Sequence, residues 1–172
     1  MNFTDFDYVN SNKFTGKIIL TSFPGSDKEG KFNEELFLLQ LDLFKNNNCS
    51  SIVSFVEDKE FEILSGKNYF VKKVYQHQLN WHHLPISDLN APNNEFKLKW
   101  ETTKVLLKNE LLDGKNIILH CRGGKGRAGI VAALLLIDFG MKKEEAIHLV
   151  RSRRKGAIET KKQEEFIFSY RP

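Results

Sequence analysis

Cysteine is nearly absent from this chain: 172 residues contain two, Cys49 and Cys121. Two thiols so far apart in sequence make no disulfide framework. Long apolar runs are missing too, and none approaches membrane-spanning length. The start Met1-Asn2-Phe3-Thr4-Asp5 lacks the character of a signal peptide. A reducing, cytoplasmic setting is therefore the expectation, with no stable membrane insertion. No block of like charge is long enough for a nucleic-acid arm, so no nucleic-acid partner is expected. The longest basic cluster, Arg151-Ser152-Arg153-Arg154-Lys155, reads as the solvated end of a helix. No internal repeat is present, and Asn46-Asn47-Asn48 is the only biased patch. His77, His82 and His83 lack metal-ligand spacing and read as structural, so no metal or cofactor is expected.

What is present suits one domain spanning residues 1–172. The hydrophobic fraction is 41%, ordinary for a globular protein, and the formal net charge is +4. That mild basic bias suits an anionic substrate without requiring one.

Strand and helix signals alternate along the chain. Lys17 to Thr21 reads as a strand, followed by a Pro24-Gly25 break. Phe32 to Phe44 has helical spacing of apolar residues. Ser51 to Val56 reads as a buried strand, and Asp58 to Leu64 as a short helix closed by Gly66. Tyr69 to Leu84 is expected to hold an extended segment ending near Trp81-His82-His83-Leu84. After a loop from Pro85 to Ala91, Pro92 stands where a helix can begin and run to Leu112. Asn116 to Leu119 is apolar enough for a central strand, and Ala128 to Phe139 for a buried helix. Two more helices are expected, at Lys143 to Arg154 and Thr160 to Tyr170. The alternation predicts an α/β fold with a mainly parallel central sheet flanked by helices. Sites in such sheets lie at the carboxyl ends of strands, where Cys121 falls.

The segment His120-Cys121-Arg122-Gly123-Gly124-Lys125-Gly126-Arg127 carries the chemistry. A strand ends, a glycine-rich turn follows and a buried helix begins. Gly123, Gly124 and Gly126 let the backbone curl, and a curled run of N–H groups at a helix N-terminus cradles an anion. The same setting favours a thiolate: such sites lower a thiol's pKa from about 8.5 to roughly 3.5–7.5. Cys121 is then a nucleophile, and Arg127 can reach back to grip two phosphate oxygens. Gly124-Lys125-Gly126-Arg127-Ala128-Gly129 also fits G-x-G-x-x-G, but two helices follow it instead of the strand a dinucleotide site needs.

This loop resembles the H-C-x5-R signature of the protein tyrosine and dual-specificity phosphatases. The chain is most similar to the kinase-associated phosphatase type, through His83-Leu84-Pro85-Ile86-Ser87-Asp88, the signature loop and Gly156-Ala157-Ile158-Glu159-Thr160-Lys161-Lys162-Gln163. The resemblance implies a dual-specificity phosphatase-like fold and a phosphorylated protein substrate, a kinase among the candidates. It implies Asp88 as general acid, with Glu57, Asp58 and Glu60 as alternatives. It implies Gln163 as the residue that positions water, against the plainer reading of an exposed helix glutamine. It implies His120 as a support for the thiolate, not a base. The residues from Arg122 to Arg127 would bind the phosphate. The family usually has Ser or Thr after the arginine, and this chain has Ala128. Arg122 and Lys125 resemble the phosphoinositide 3-phosphatase loop, so a phosphoinositide or inositol phosphate is the alternative substrate. A phosphate-reading module with poor turnover is the alternative outside enzymes.

Overall fold

Three consecutive residues show how the domain is layered. Ile117, Ile118 and Leu119 are all fully buried, but Ile117 and Leu119 pack in one apolar cluster and Ile118 in another. Alternate side chains of a strand point to opposite faces, so this strand is covered on both. The computed structural model describes residues 6–172; the expectation at Met1 to Asp5 lies outside them. In chain order the described residues form β1 Phe6–Val9, β2 Ile18–Thr21, α1 Glu34–Asn46, β3 Cys49–Ser54, α2 Asp58–Ile63 and α3 Lys67–Gln76. They continue with β4 Asn80–His83, α4 Asn94–Leu112, β5 Asn116–His120, α5 Gly126–Asp138, α6 Lys143–Arg153 and α7 Lys161–Ser169.

The sheet order is β1-β2-β5-β3-β4, with β1 antiparallel and the other pairings parallel. The helices α4 to α7 supply one cluster, in which α5 is buried on nearly its whole surface. The helices α1 to α3 supply the other, an aromatic group around Phe23, Phe37, Phe61 and Phe70. The mainly parallel α/β fold read from the sequence is therefore the fold observed. Among the described residues no helix is long and apolar enough to cross a membrane.

Four local expectations are corrected. Tyr69 to Leu84 does hold an extended segment ending at His83, but its first part belongs to an unforeseen helix, Lys67–Gln76, which buries Phe70 and Val74, one helical turn apart. Only Asn80–His83 of that stretch is a strand. The strand β1 was not expected at all. Pro92 does not begin α4: Asn93 is the N-cap, and its side chain accepts the Phe96 N–H at 2.9 Å. The helix α5 starts at Gly126, so Arg127 lies in its first turn.

Cys49 lies at the start of β3 opposite Asn116, while Cys121 follows the other end of β5. A strand's length separates them, and burial pushes the Cys49 thiol up to about 12. Cys49 is a core residue, not a resolving thiol.

Candidate active site

The carboxyl ends of three parallel strands converge. Glu60 follows β3 on α2, Asp88 follows β4 in the loop before α4, and Cys121 follows β5. Cys121 is 3% exposed, at the floor of the turn from Arg122 to Lys125 that leads into α5.

Four successive carbonyls of that turn accept hydrogen bonds from outside it. The Phe23 N–H donates to Arg122 O at 3.2 Å. Arg154 donates from Nη2 to Gly123 O at 3.1 Å and from Nε to Gly124 O at 2.9 Å. The Gly129 N–H donates to Lys125 O at 2.9 Å. The carbonyl dipoles thus face away from the turn, and its N–H groups are left for an anion. Gly124 has φ +66° and runs so close to β2 that a Cβ would stand 2.3 Å from Thr21 O. Only glycine fits there. Gly126 leaves room for two side chains: a Cβ would meet Glu159 Oε2 at 2.3 Å and Gln163 Nε2 at 2.8 Å and would displace them.

Arg127 is only 2% exposed and holds a carboxylate. Its Nη1 and Nη2 donate to the two Glu60 oxygens at 2.6 and 2.9 Å, and Nη1 also donates to Ile86 O at 3.2 Å. Nη2 lies 3.2 Å from Asp88 Oδ1. One edge of the guanidinium is therefore committed to Glu60. The Nε–H edge remains for a phosphate, with Asp88 on its Nη2 corner. Burial pushes the Glu60 carboxyl up. The Arg127 hydrogen bond, the Glu57 backbone N–H and the charges of Arg127 and Arg122 outweigh it and hold the carboxyl below its usual range. Glu60 was foreseen only as an alternative acid; its partner shows it to be the residue that orients Arg127.

Asp88 is the more exposed of the two carboxylates on Arg127, its side chain 61% exposed against 13% for Glu60. Its loop is tied to α7: Thr160 Oγ1 donates to Leu89 O at 3.1 Å, and Gln163 Nε2 to Asn90 O at 3.4 Å. Gln163 is wholly buried, so the exposed-glutamine reading fails. Its Oε1 accepts the N–H groups of Glu159 and Thr160 at 2.8 and 3.3 Å, while Thr160 caps α7 in return. Thr160-Lys161-Lys162-Gln163 is a capping box, a signature present in the sequence and not used there.

His120 is fully buried. Its Nε2 meets Ser54 Oγ at 2.6 Å, and the Trp81 indole N–H donates to the same hydroxyl at 2.9 Å. Burial drives the imidazole down to about 3 against the Cys121 backbone, with the Arg127 charge reinforcing the fall. It is a neutral brace beneath Cys121, far too weak to be a base at neutral pH. The unfolded chain takes up a proton near pH 6.5, and the folded chain does not until about 3. Stability should thus fall by about 1.4 kcal/mol per pH unit below about 6.5. Denaturant unfolding at pH 7 and pH 5 should differ by about 2 kcal/mol from this group, and His120→Asn should remove that part of the difference.

The remaining loop cations do not converge on the cradle. Arg122 is half-buried, its Nη2 reaching Gly30 O at 3.4 Å. Lys125 is exposed, its Cδ standing 3.8 Å from where a Gly156 Cβ would lie. The solvated-end reading of the basic cluster holds for Arg151, which stays exposed, and is corrected at Arg154. Arg154 is 5% exposed and grips the turn, while Arg151 donates to Ala157 O and Ile158 O at 3.2 and 3.0 Å.

A thiol at the floor of a strand–turn–helix anion cradle, faced by a buried arginine, is the architecture of the cysteine-dependent phosphatases. A family model described as "Swiss Army Knife protein, DSP-PTPase phosphatase domain" matches residues 63–167, more than half of the chain, and the chain belongs to that family. Protein tyrosine phosphatase type IVA 3 of Bos taurus is 46% identical over 90 residues, covering 51% of this chain and 50% of the relative. The chain thus spans about half the length of the curated relatives it matches. A solved structure of kinase associated phosphatase, with its catalytic-site cysteine replaced by serine, superposes with a TM-score of 0.76. It is 24% identical and covers 94% of this chain and 90% of that one. A putative protein tyrosine phosphatase from Leishmania major gives a TM-score of 0.75 at 21% identity, covering 98% and 100%.

Proposed function

We propose that this chain hydrolyses phosphoric monoesters on proteins, phosphotyrosine first and phosphoserine or phosphothreonine as further substrates, through a cysteinyl-phosphate on Cys121. The observation that carries this reading is the outward set of carbonyls around a buried thiol, with Arg127 held at its far end by Glu60. Backbone N–H groups pre-aimed at one point stabilise charge that develops there, without reorganising during reaction. In the first step Cys121 Sγ forms a bond to phosphorus as the bond to the substrate oxygen breaks, and Asp88 protonates that oxygen. In the second step water attacks the phosphorus and gives its proton to the Asp88 carboxylate, the S–P bond breaks to return the thiolate, and inorganic phosphate leaves. Gln163 is the residue that orients that water, through Nε2 beside Gly126, since Oε1 is held by the α7 cap. A reducing, cytoplasmic compartment suits the free thiol, and a phosphorylated protein, a kinase among the candidates, is the proposed partner.

Asp88→Asn separates the acid from the nucleophile. Turnover of an alkyl or phenyl phosphate should fall about 10²- to 10⁴-fold, and that of an activated nitrophenyl ester much less, because its leaving group needs no proton. Equal losses on both substrates would remove Asp88 from the mechanism. Ala128 bears on the second step. A hydroxyl there would hydrogen-bond the departing thiolate, an interaction worth about 1.5–3 kcal/mol. Ala128→Ser should therefore speed the phase after the burst by about tenfold or more in rapid-quench kinetics. An unchanged second phase would show that breakdown does not depend on this position.

The phosphoinositide reading rests on Arg122 and Lys125. Arg122 turns toward Gly30 and Lys125 is exposed beside Gly156, so neither is fixed over the cradle as Arg127 is, and the protein reading is the better supported.

A further inference from the structure

Arg154 lies outside the signature loop but makes two of the four outward contacts that shape it. It is nearly fully buried at the end of α6, a place where a long cation is normally solvated. One guanidinium joins Gly124 O, Gly123 O and the Asp7 carboxylate, the last at 2.9 Å from Nη1. Asp7 belongs to β1, the antiparallel edge strand at the other end of the sequence. The side chain therefore ties the phosphate turn to an element with no other part in the site.

The contacts fall where the loop is most able to change. Gly123 and Gly124 impose little steric restriction on the peptide planes around them. If either plane turned over, a carbonyl dipole would point into the cradle and repel an anion. The planar fork of arginine can hold two carbonyls and a carboxylate at once, whereas lysine offers a single point charge. We propose that Arg154 is a positioning residue for the phosphate turn: it holds the Gly123 and Gly124 carbonyls outward so that the N–H groups face the anion, and Asp7 fixes its orientation. The contacts of Arg154 with the turn are to backbone carbonyls, so its effect on the anion passes through the backbone. This inference rests on the proposed phosphate site, so its test begins from direct binding of inorganic phosphate.

Phosphate affinity is measured by calorimetry for the native chain, Arg154→Ala, Arg154→Lys and Asp7→Asn, with circular dichroism as the check on folding. Removing two charge-assisted contacts should weaken phosphate binding about 10- to 100-fold in Arg154→Ala. The loss should appear mainly in KM for a nitrophenyl phosphate substrate, and added methylguanidinium should restore much of it. Arg154→Lys should stay impaired despite its charge. Asp7→Asn, which leaves Arg154 in place, should weaken binding about threefold and keeps the test open if Arg154→Ala does not fold. Failure of the native chain to bind phosphate would overturn the site itself. A native chain that binds, beside a folded Arg154→Ala or Asp7→Asn that binds equally well, would overturn the positioning role alone. A loss in Arg154→Ala that methylguanidinium does not touch, with Asp7→Asn unaffected, would overturn it as well.

Discussion

Cys121→Ser should give a folded protein that still binds inorganic phosphate but turns over p-nitrophenyl phosphate slower by on the order of 10⁴-fold or more. A hydroxyl is a far weaker nucleophile than a thiolate, and its own proton is too tightly held to be lost at neutral pH without help. The imidazole beside Cys121 in the chain, His120, gives no such help: it is pushed down to about 3 and occupied with Ser54. Phosphate binding should survive because it depends on the turn's N–H groups and on Arg127, not on the sulfur. This combination also separates the enzyme from a phosphate-reading module. A module would bind phosphate equally well with either residue, and its slow turnover would not change on substitution.

The second large effect lies at Glu60. Its carboxylate holds two nitrogens of a guanidinium that is 2% exposed, and removing one partner of such a pair leaves a buried charge short of compensation. Glu60→Gln should lower stability by about 3 kcal/mol, at the low end for such a loss because Asp88 and Ile86 O still reach Arg127. In a domain of this size that is roughly 6–12 °C in melting temperature. Phosphate should raise the melting temperature of this variant more than that of the native chain, by supplying the missing charge.

The pH dependence follows from the sign of the Glu60 shift. Its carboxyl is held below the unfolded value, so its contribution is complete above that value and is lost as pH falls through the lower folded one. Glu60→Gln should flatten this most acidic part of the stability curve. The part between about 6.5 and 3 belongs to His120 and should remain. An unshifted melting temperature in Glu60→Gln would mean that Arg127 does not depend on Glu60 for its charge balance.

Much of this site was readable because its signals are local. The glycines, Cys121 and Arg127 lie within one turn of chain, and the apolar residues from Asn116 to Leu119 and from Ala128 onward mark the strand and helix that frame them. The contacts that complete the site are not local. Glu60 was one of several acids around α2, and only its approach to Arg127 across 67 positions singles it out. Arg154 stood in a run of cations, and its meeting with Asp7 spans 147 positions. The strand β1 has four residues and takes its conformation from pairing with β2, so little in its own sequence announces it. The helix α3 was misread because Tyr69, Phe70, Val71 and Val74 are residues that favour strands. Its buried pair, Phe70 and Val74, nevertheless carried the helical spacing. Of the two readings of Gln163 the exposed one fails, although the capping box that buries it was written in four residues.

The covalent intermediate is the centre of the account, and rapid-quench mass spectrometry of the enzyme during turnover tests it most directly. The account predicts one phosphate on the peptide bearing Cys121, labile as an S-linked ester, formed in a burst and absent from Cys121→Ser. A phosphate on another residue, or a burst of product with no phosphate on Cys121, would contradict it.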